Sequence, residues 1–396
     1  MIPELRSEFN RRWRPELYTE FLRRIDEASE THVQFRCGET PIFLPKPLLD
    51  KMVRYGRELY SQLAGDAEYR SASKRCIPPQ FHVPNGTEHP LFLQADFGLI
   101  READGAIEPR LVEIQGFPSL YAFQAALARA YDTTYRLSEI HGGLHSFLGG
   151  FDGPSYEALL ERVILNGHDP REVALLEIDP FEQKTLADFL ITRKLLGLQI
   201  VDVRDLKKHG RKLYANGVEI KRIYNRVIVD ELVRKNITSE FRFTDEVDVE
   251  WAGHPNWFFQ ISKFSLPWLD HQSVPETWFL SDLQVLPENL EQYVLKPLYS
   301  FAGVGVKIGP TAEQIGAIPV EQRSNFILQR KMDFVGTVET PSGMTKVEVR
   351  VMYIFEDDEM KPVMTLLRSG RGKMMGVDFN RNLDWVGASA GFWVSE

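Results

Sequence analysis

An α/β protein made of α+β lobes is the fold class this sequence predicts, on three observations. The stretch VALLEIDPFEQKTLADFLITRKLLGLQIVDVRDL, from Val173, reads as an apolar run, an amphipathic segment closed by Gly197 and a second apolar run. That is the pattern of strand, helix, strand. Strand-like runs also form two pairs far apart in the chain: LFLQADFGLI with LVEIQ, and VEVRVMYIF with KPVMTLLRS. Finally, 396 residues exceed one ordinary core and call for two or three lobes.

The elements follow in order. Residues 1–85 carry helical patterning interrupted at Pro15, Pro41, Pro45 and Pro47. LLDKMVRYGRELYSQLAG is the clearest amphipathic stretch there, with Leu48, Leu49, Met52, Leu59 and Leu63 near one face. Residues 91–100 and 110–115 read as strands joined through Asp104-Gly105, and a helix is expected from Ala122 to about Arg136, within a region 86–145. The strand–helix–strand block belongs to a region 146–255, where Asn216-Gly217 marks a hairpin and KRIYNRVIV reads as the strand after it. Regions 256–335 and 336–396 return to strands with short helices.

Composition narrows the function. With 43% hydrophobic and 26% charged residues the chain is that of a globular protein. The formal charge, 47 − 56 = −9, argues against nucleic acid as a partner. The first residues, MIPELRSEFNRRWRPELY, hold no apolar signal core, and no run of about 18 apolar residues suggests a membrane span. A cytoplasmic protein with Cys37 and Cys76 reduced is therefore expected.

Several side chains carry chemistry. Glu113 and Gln115 stand two apart on a strand, so both can aim at one point, and Asp96 on the partner strand can join them. Hard oxygen donors of this kind suit magnesium, which takes few carboxylates and completes its shell from phosphates. The same pattern also fits a solvated hairpin face. Lys296 ends the run YVLKP and precedes a small-residue loop, Ser300 to Gly305 with Gly303 between. Such loops let backbone N–H groups approach phosphate, though a plain β-turn fits equally. Glu348 and Arg350 share a strand face and Arg368 follows on the next strand: an arginine fork for phosphate, or a cross-strand salt bridge. Asn380 and Asn382 read as turn residues or ligands, the turn favoured for Asn380. Trp251 to Trp257 reads as a ligand-gripping loop or a packed corner. His141 and His145 lack the partners of a zinc set, and no Gly-x-Ser-x-Gly elbow or G-x-G-x-x-G turn opens a helix.

Taken jointly, these pieces resemble the ATP-grasp superfamily. Ile261-Ser262-Lys263, with Val274-Pro275-Glu276-Thr277 beyond, looks like the segment of the family's first ATP lysine, and Val294-Leu295-Lys296-Pro297 with the loop to Gly305 like the second lysine and phosphate-covering loop. Phe326 to Met332 resembles the hinge strand that reads adenine, through Gln329, Lys331 and Met332. Val347-Glu348-Val349-Arg350 resembles the strand whose acid takes the ribose, with Glu339 as a rival for that role, and Arg350 and Arg368 match the phosphate-side arginines. The acidic signature that normally closes the family's sequence stands instead at the front, as Asp96-Phe97-Gly98 and Glu113-Ile114-Gln115-Gly116-Phe117-Pro118-Ser119, with Gln115 in place of the usual Asn.

The resemblance thus implies a circularly permuted ATP-grasp fold, similar to eukaryotic-type glutathione synthetases and glutathionylspermidine synthases. Region 86–145 would be its metal-binding strands, 146–255 a Rossmann-like pre-ATP-grasp lobe around Arg222 to Arg226, 256–335 the lid and 336–396 the core strands. It further implies ATP and magnesium as cofactors, metal held by Asp96, Glu113 and Gln115, and a carboxylate–amine ligase working through an acyl phosphate. The substrates would be a small amino-acid or peptide-like acid and an amine, gripped near Arg226, His254, Asn256 and Trp257, and relatives often form homodimers. A phosphotransferase on the same scaffold, or a protein that binds ATP without turnover, are the alternatives.

Overall fold

The structure, a computed structural model, describes residues 1–299, 304–372, 375–376, 380 and 382–395. Among them four sheets form. The largest has eight strands and draws on both ends of the chain. Its order is Ile42–Phe43, Gly387–Val394, Glu359–Gly370, Gly343–Glu356, Phe92–Arg101 and Ile107–Gln115, with Gly336–Thr340 and Leu144–His145 paired at its margins. The two front strands pair antiparallel with each other, and Phe92–Arg101 pairs antiparallel with Gly343–Glu356, so residues some 250 apart in sequence become neighbours.

The turns are those the residues favour. Asp357 and Asp358 both take positive φ (53° and 58°), joining the two longest strands through a tight hairpin. Asp104 Oδ1 accepts from the Ala106 amide (2.9 Å), and Gly105 supplies φ 89° at the front hairpin.

Alternation along Gly343–Glu356 separates two faces of the sheet. Val347, Val349, Val351 and Tyr353 join Leu93, Ala95, Phe97 and Leu99 in a core covered by the helix Lys46–Gly65 through Leu49, Met52, Leu59 and Leu63. Leu48 lies at its margin, partly buried. On the opposite face, Met352 and Ile354 join Phe92 in a second core, which the helix Tyr121–Tyr135 enters through Tyr121, Phe123 and Leu127. Further along the same face Arg350 and Glu348 follow, and there the apolar layer gives way to charge.

The strand–helix–strand block forms as expected: Val173–Glu177, a helix Leu186–Leu196 ended by Gly197 at φ 73°, and Gln199–Asp202. It belongs to a parallel four-stranded sheet ordered Glu250–Ala252, Arg222–Asn225, Val173–Glu177, Gln199–Asp202. Asn216-Gly217, both at positive φ, turn the hairpin of Lys212–Ala215 and Val218–Ile220. The run KRIYNRVIV is only half strand: it stops at Asn225, and Val229–Arg234 is a short helix. Asp230 and Glu231 in its first turn suit the positive end of a helix dipole.

A third sheet, antiparallel, is ordered Thr277–Phe279, Phe326–Arg330, Tyr293–Pro297, Lys307–Ile308. From Lys263 the chain runs not as a regular helix but as a 3-10 turn, Lys263–Trp268, with Pro267 inside it. Proline lacks the amide a regular helix needs and clashes with the preceding turn. A small three-stranded sheet, Lys207–His209 with the 212–220 hairpin, completes the set. Cys37 and Cys76 are free, and among the described residues no helix is long and apolar enough to cross a membrane.

One helix carries a direct test of this packing. A Cβ on Gly56 would lie 2.1 Å from the Tyr353 hydroxyl oxygen, whereas one on Gly65 meets nothing within 4 Å. Gly56→Ala is expected to destabilise the protein by about 1–3 kcal/mol through overpacking. Gly65→Ala should be neutral or stabilising by up to about 1 kcal/mol. Urea unfolding of the two variants checks this; equal effects would contradict the packing described.

Candidate functional site

The charged patch is built by sheet register. Asp96 is the direct cross-strand partner of Arg350 on one side and of Glu113 on the other, while Glu348 sits opposite Arg368. Three strands thus put Glu113, Asp96 and Arg350 in one row, with Glu348 and Arg368 in the next. A β-bulge intervenes in the front hairpin: Asp96 pairs Glu113, but Phe97 pairs Leu111, leaving Val112 as the extra residue. Its carbonyl accepts a hydrogen bond from Lys296 Nζ (3.2 Å).

The contacts are close. Arg350 grips Asp96 with both arms of its fork, Nε to Oδ1 at 2.6 Å and Nη2 to Oδ2 at 2.7 Å, and Arg368 Nη2 reaches Oδ2 at 2.5 Å. Arg368 also pairs with Glu348. Glu113 faces Lys263 at 3.3 Å and Arg350 at 4.0 Å, and accepts from the amide of Gln115. Lys296 Nζ donates to Gln329 Oε1 (2.6 Å), and Gln329 in turn donates to Thr277 Oγ1 (3.1 Å). Lys263 is brought in by the loop before it, where the Gly116 amide donates to Ile261 O (2.9 Å). Gly116 must be glycine for that approach, since a Cβ would stand 2.9 Å from the Trp257 carbonyl oxygen.

Burial and charge set the protonation states. Burial alone would raise Glu113, yet Lys263, Arg350, Arg368 and Lys296 outweigh it and hold its carboxyl well below the usual range. Glu348 goes the other way: burial pushes it up, and Asp96 and Glu113 add repulsion that Arg368 only partly offsets. Burial lowers Lys296 to about 8 despite Glu113 nearby.

Most of the residues expected at a site are therefore brought together: Asp96, Glu113, Gln115, Lys263, Lys296, Gln329, Glu348, Arg350 and Arg368. Glu348 rather than Glu339 belongs to the cluster, for Glu339 is exposed on the hairpin strand Gly336–Thr340. Ser300 and Gly303 lie outside the described residues; Gly305 takes φ 75° beside Pro297. Lys331 and Met332 are half-buried on the link leaving Phe326–Arg330. Lys331 is tied by its amide to Gln292 O (2.7 Å) and by its side chain to Asp333 (3.3 Å). That link rejoins the large sheet where the Val335 amide donates to Leu99 O (3.0 Å).

Other candidates are structural. Asn256 binds both backbone groups of Val83 (2.9 Å each), His254 meets Pro84 O (3.1 Å) and Trp257 donates to Thr87 (2.8 Å), so this loop is a packed corner. Arg226 is buried against Asp188 (2.6 Å), whose other oxygen caps the amides of Ala122 and Phe123. Asn380 accepts from the amides of Arg371 and Gly372, which makes it a turn clasp. Sequence reasoning passed over Gln94. Gln94 is fully buried and bonded to Ser119 O (2.9 Å), two residues before Asp96 on the same strand face. The same i, i+2 spacing that singled out Glu113 and Gln115 would have found it.

Magnesium fits this donor set only in part. Among the described residues no group of three or more His, Cys, Asp or Glu side chains is arranged to hold a metal ion. Both oxygens of Asp96 are taken by arginines, whereas Glu113 is partly exposed and held by longer contacts. Glu113 with Gln115 matches a magnesium ion that draws its remaining ligands from phosphate.

No family model matches the chain, and no curated protein does. Among solved structures the chain is similar to a glutathione synthetase-like effector from Globodera pallida in its apo form, with a TM-score of 0.59 and 13% identity over 96% of this chain and 98% of that one. The fold is thus α/β with several sheets and glutathione synthetase-like.

The buried lysine gives a pH signature. Folded Lys296 loses its proton near pH 8, against an ordinary value of 10.5. Between those values the unfolded chain binds more protons, so stability rises with pH; below about pH 8 the full burial penalty is present. Wild type should gain stability relative to Lys296→Met from about pH 7 to about pH 10 in denaturant titrations. Parallel pH profiles would contradict a buried, depressed Lys296.

Proposed function

We propose that this chain is a circularly permuted ATP-grasp enzyme, a carboxylate–amine ligase that uses ATP and magnesium. One observation carries the reading: Lys263, Lys296, Arg350 and Arg368 converge with Asp96, Glu113 and Glu348 on one sheet face, from segments that sequence separates by up to 272 residues. A glutathione synthetase-like fold over nearly the whole chain supports it.

In this reading Lys263 and Lys296 take the nucleotide phosphates. Gln329, Lys331 and Met332 line the adenine, and Glu348 takes the ribose. Glu113 with Gln115 would hold magnesium, which would offset the phosphate charge that an anionic nucleophile must approach. The carboxylate oxygen of the acid attacks the γ-phosphorus; its O–P bond forms as the β,γ-bridging P–O bond breaks, giving an acyl phosphate and ADP. Arg350 and Arg368 stabilise the charge spread over the transferring phosphoryl group. The amine lone pair then attacks the acyl carbon, phosphate leaves with the C–O bond pair, and the amide loses a proton. The substrates are a small amino-acid or peptide-like acid and an amine.

The test is ADP release with pools of carboxylic acids and amines. Turnover that needs both is expected, and Arg350→Ala should lower it about 10²-fold with the fold intact. A phosphorylated product formed with no amine would make the protein a phosphotransferase. ATP binding with no ADP from any pool would make it a non-catalytic binder, and an Arg350→Ala variant at wild-type rate would remove that arginine from the chemistry.

A further inference from the structure

Resting on that reading, we propose that Asp96 is a positioning residue, the holder of a two-arginine anion clamp, and that the site takes a single divalent ion, on Glu113. A carboxylate offers about four lone-pair positions. Three of those on Asp96 accept charge-assisted bonds, at 2.6 and 2.7 Å from Arg350 and 2.5 Å from Arg368. The carboxylate is fully buried, and Arg350 is nearly so. A metal ion entering here would displace at least one guanidinium and leave it buried without its counter-charge.

Glu113 differs on each count. It is partly exposed, its contacts to Lys263 and Arg350 are 3.3 and 4.0 Å, and Gln115 beside it offers a carbonyl oxygen once its amide turns. The charge count agrees. Four cations, Lys263, Lys296, Arg350 and Arg368, face three carboxylates, Asp96, Glu113 and Glu348, so the cluster carries a formal +1 before any metal arrives.

A site that relies on two metal ions uses them to clamp the attacking and leaving oxygens. Here two guanidinium groups supply fixed positive charge in their place. Arg350 spends Nε and Nη2 on Asp96, and Arg368 spends Nη2 on Asp96 and Glu348. Each arginine thus keeps its Nη1 for an anion, and the planar fork suits phosphoryl oxygens. Asp96 acts through these arginines, setting where they stand.

Manganese serves as the probe, with a non-hydrolysable β,γ-imido analogue of ATP, and paramagnetic resonance counts bound ions. Wild type is expected to hold one Mn²⁺ per nucleotide, and Glu113→Gln to lose it. Asp96→Asn should keep the ion but lose its preference for the triphosphate analogue over ADP about tenfold, the scale of one charge-assisted bond. A purely structural role would weaken both nucleotides alike and overturn the assignment. Two ions on wild type, or loss of the ion in Asp96→Asn with nucleotide still bound, would overturn it too. Should Asp96→Asn fail to fold, the wild-type count and Glu113→Gln decide. Wild type that binds no nucleotide would instead end the ligase reading itself.

Discussion

Seven charged side chains meet at one face of the large sheet, five from its own strands and two lysines from neighbouring elements, and most of them are shielded from water. Each, taken alone, would be too costly to bury; an ionised group leaves water only when paired. The row Glu113, Asp96, Arg350 and its neighbour Glu348, Arg368 solve this by strand register, which sets each carboxylate within reach of an arginine. The surplus is one positive charge, which leaves an electrostatic demand for an anion. Lys296, depressed by its burial, meets that demand fully only once a negative group arrives to raise it again.

The same register explains why the patch stands where it does. Met352 and Ile354 point from the central strand into an apolar core with the Tyr121–Tyr135 helix, and two residues earlier the face turns charged. The bulge at Val112 frees the carbonyl that Lys296 reaches, and thereby couples the third sheet to the large one. Between those sheets runs the 331–335 link, anchored at Lys331 and again at Val335. A ligand gripped by Lys296 and Arg350 together would bear on both sheets at once.

Much of this was legible in the sequence, and the parts that were not share a cause. Periodicity placed the Lys46–Gly65 and Tyr121–Tyr135 helices and the paired strands, because hydrophobic faces repeat locally. The i, i+2 spacing of Glu113 and Gln115 and of Glu348 and Arg350 put each pair on a shared face. What the sequence could not assign was partnership. Asp96 read as a metal donor, but cross-strand pairing hands it to two arginines more than 250 residues away. Trp251 to Trp257 read equally as loop or corner until Val83 and Pro84 were found against it. The strand expected through Val229 broke at Asn225, and a few residues on Asp230 and Glu231 favour a helix start over further pairing.

The central proposal is that the front hairpin and the late lysine strand make a single nucleotide site. Calorimetric ATP binding in magnesium, across wild type, Lys296→Ala, Glu113→Ala and the double variant, tests it most directly. Residues acting on one ligand in one site are non-additive, so the double variant should lose little more affinity than the weaker single variant. Losses that simply add, or a Glu113→Ala variant that binds as wild type does, would contradict the account.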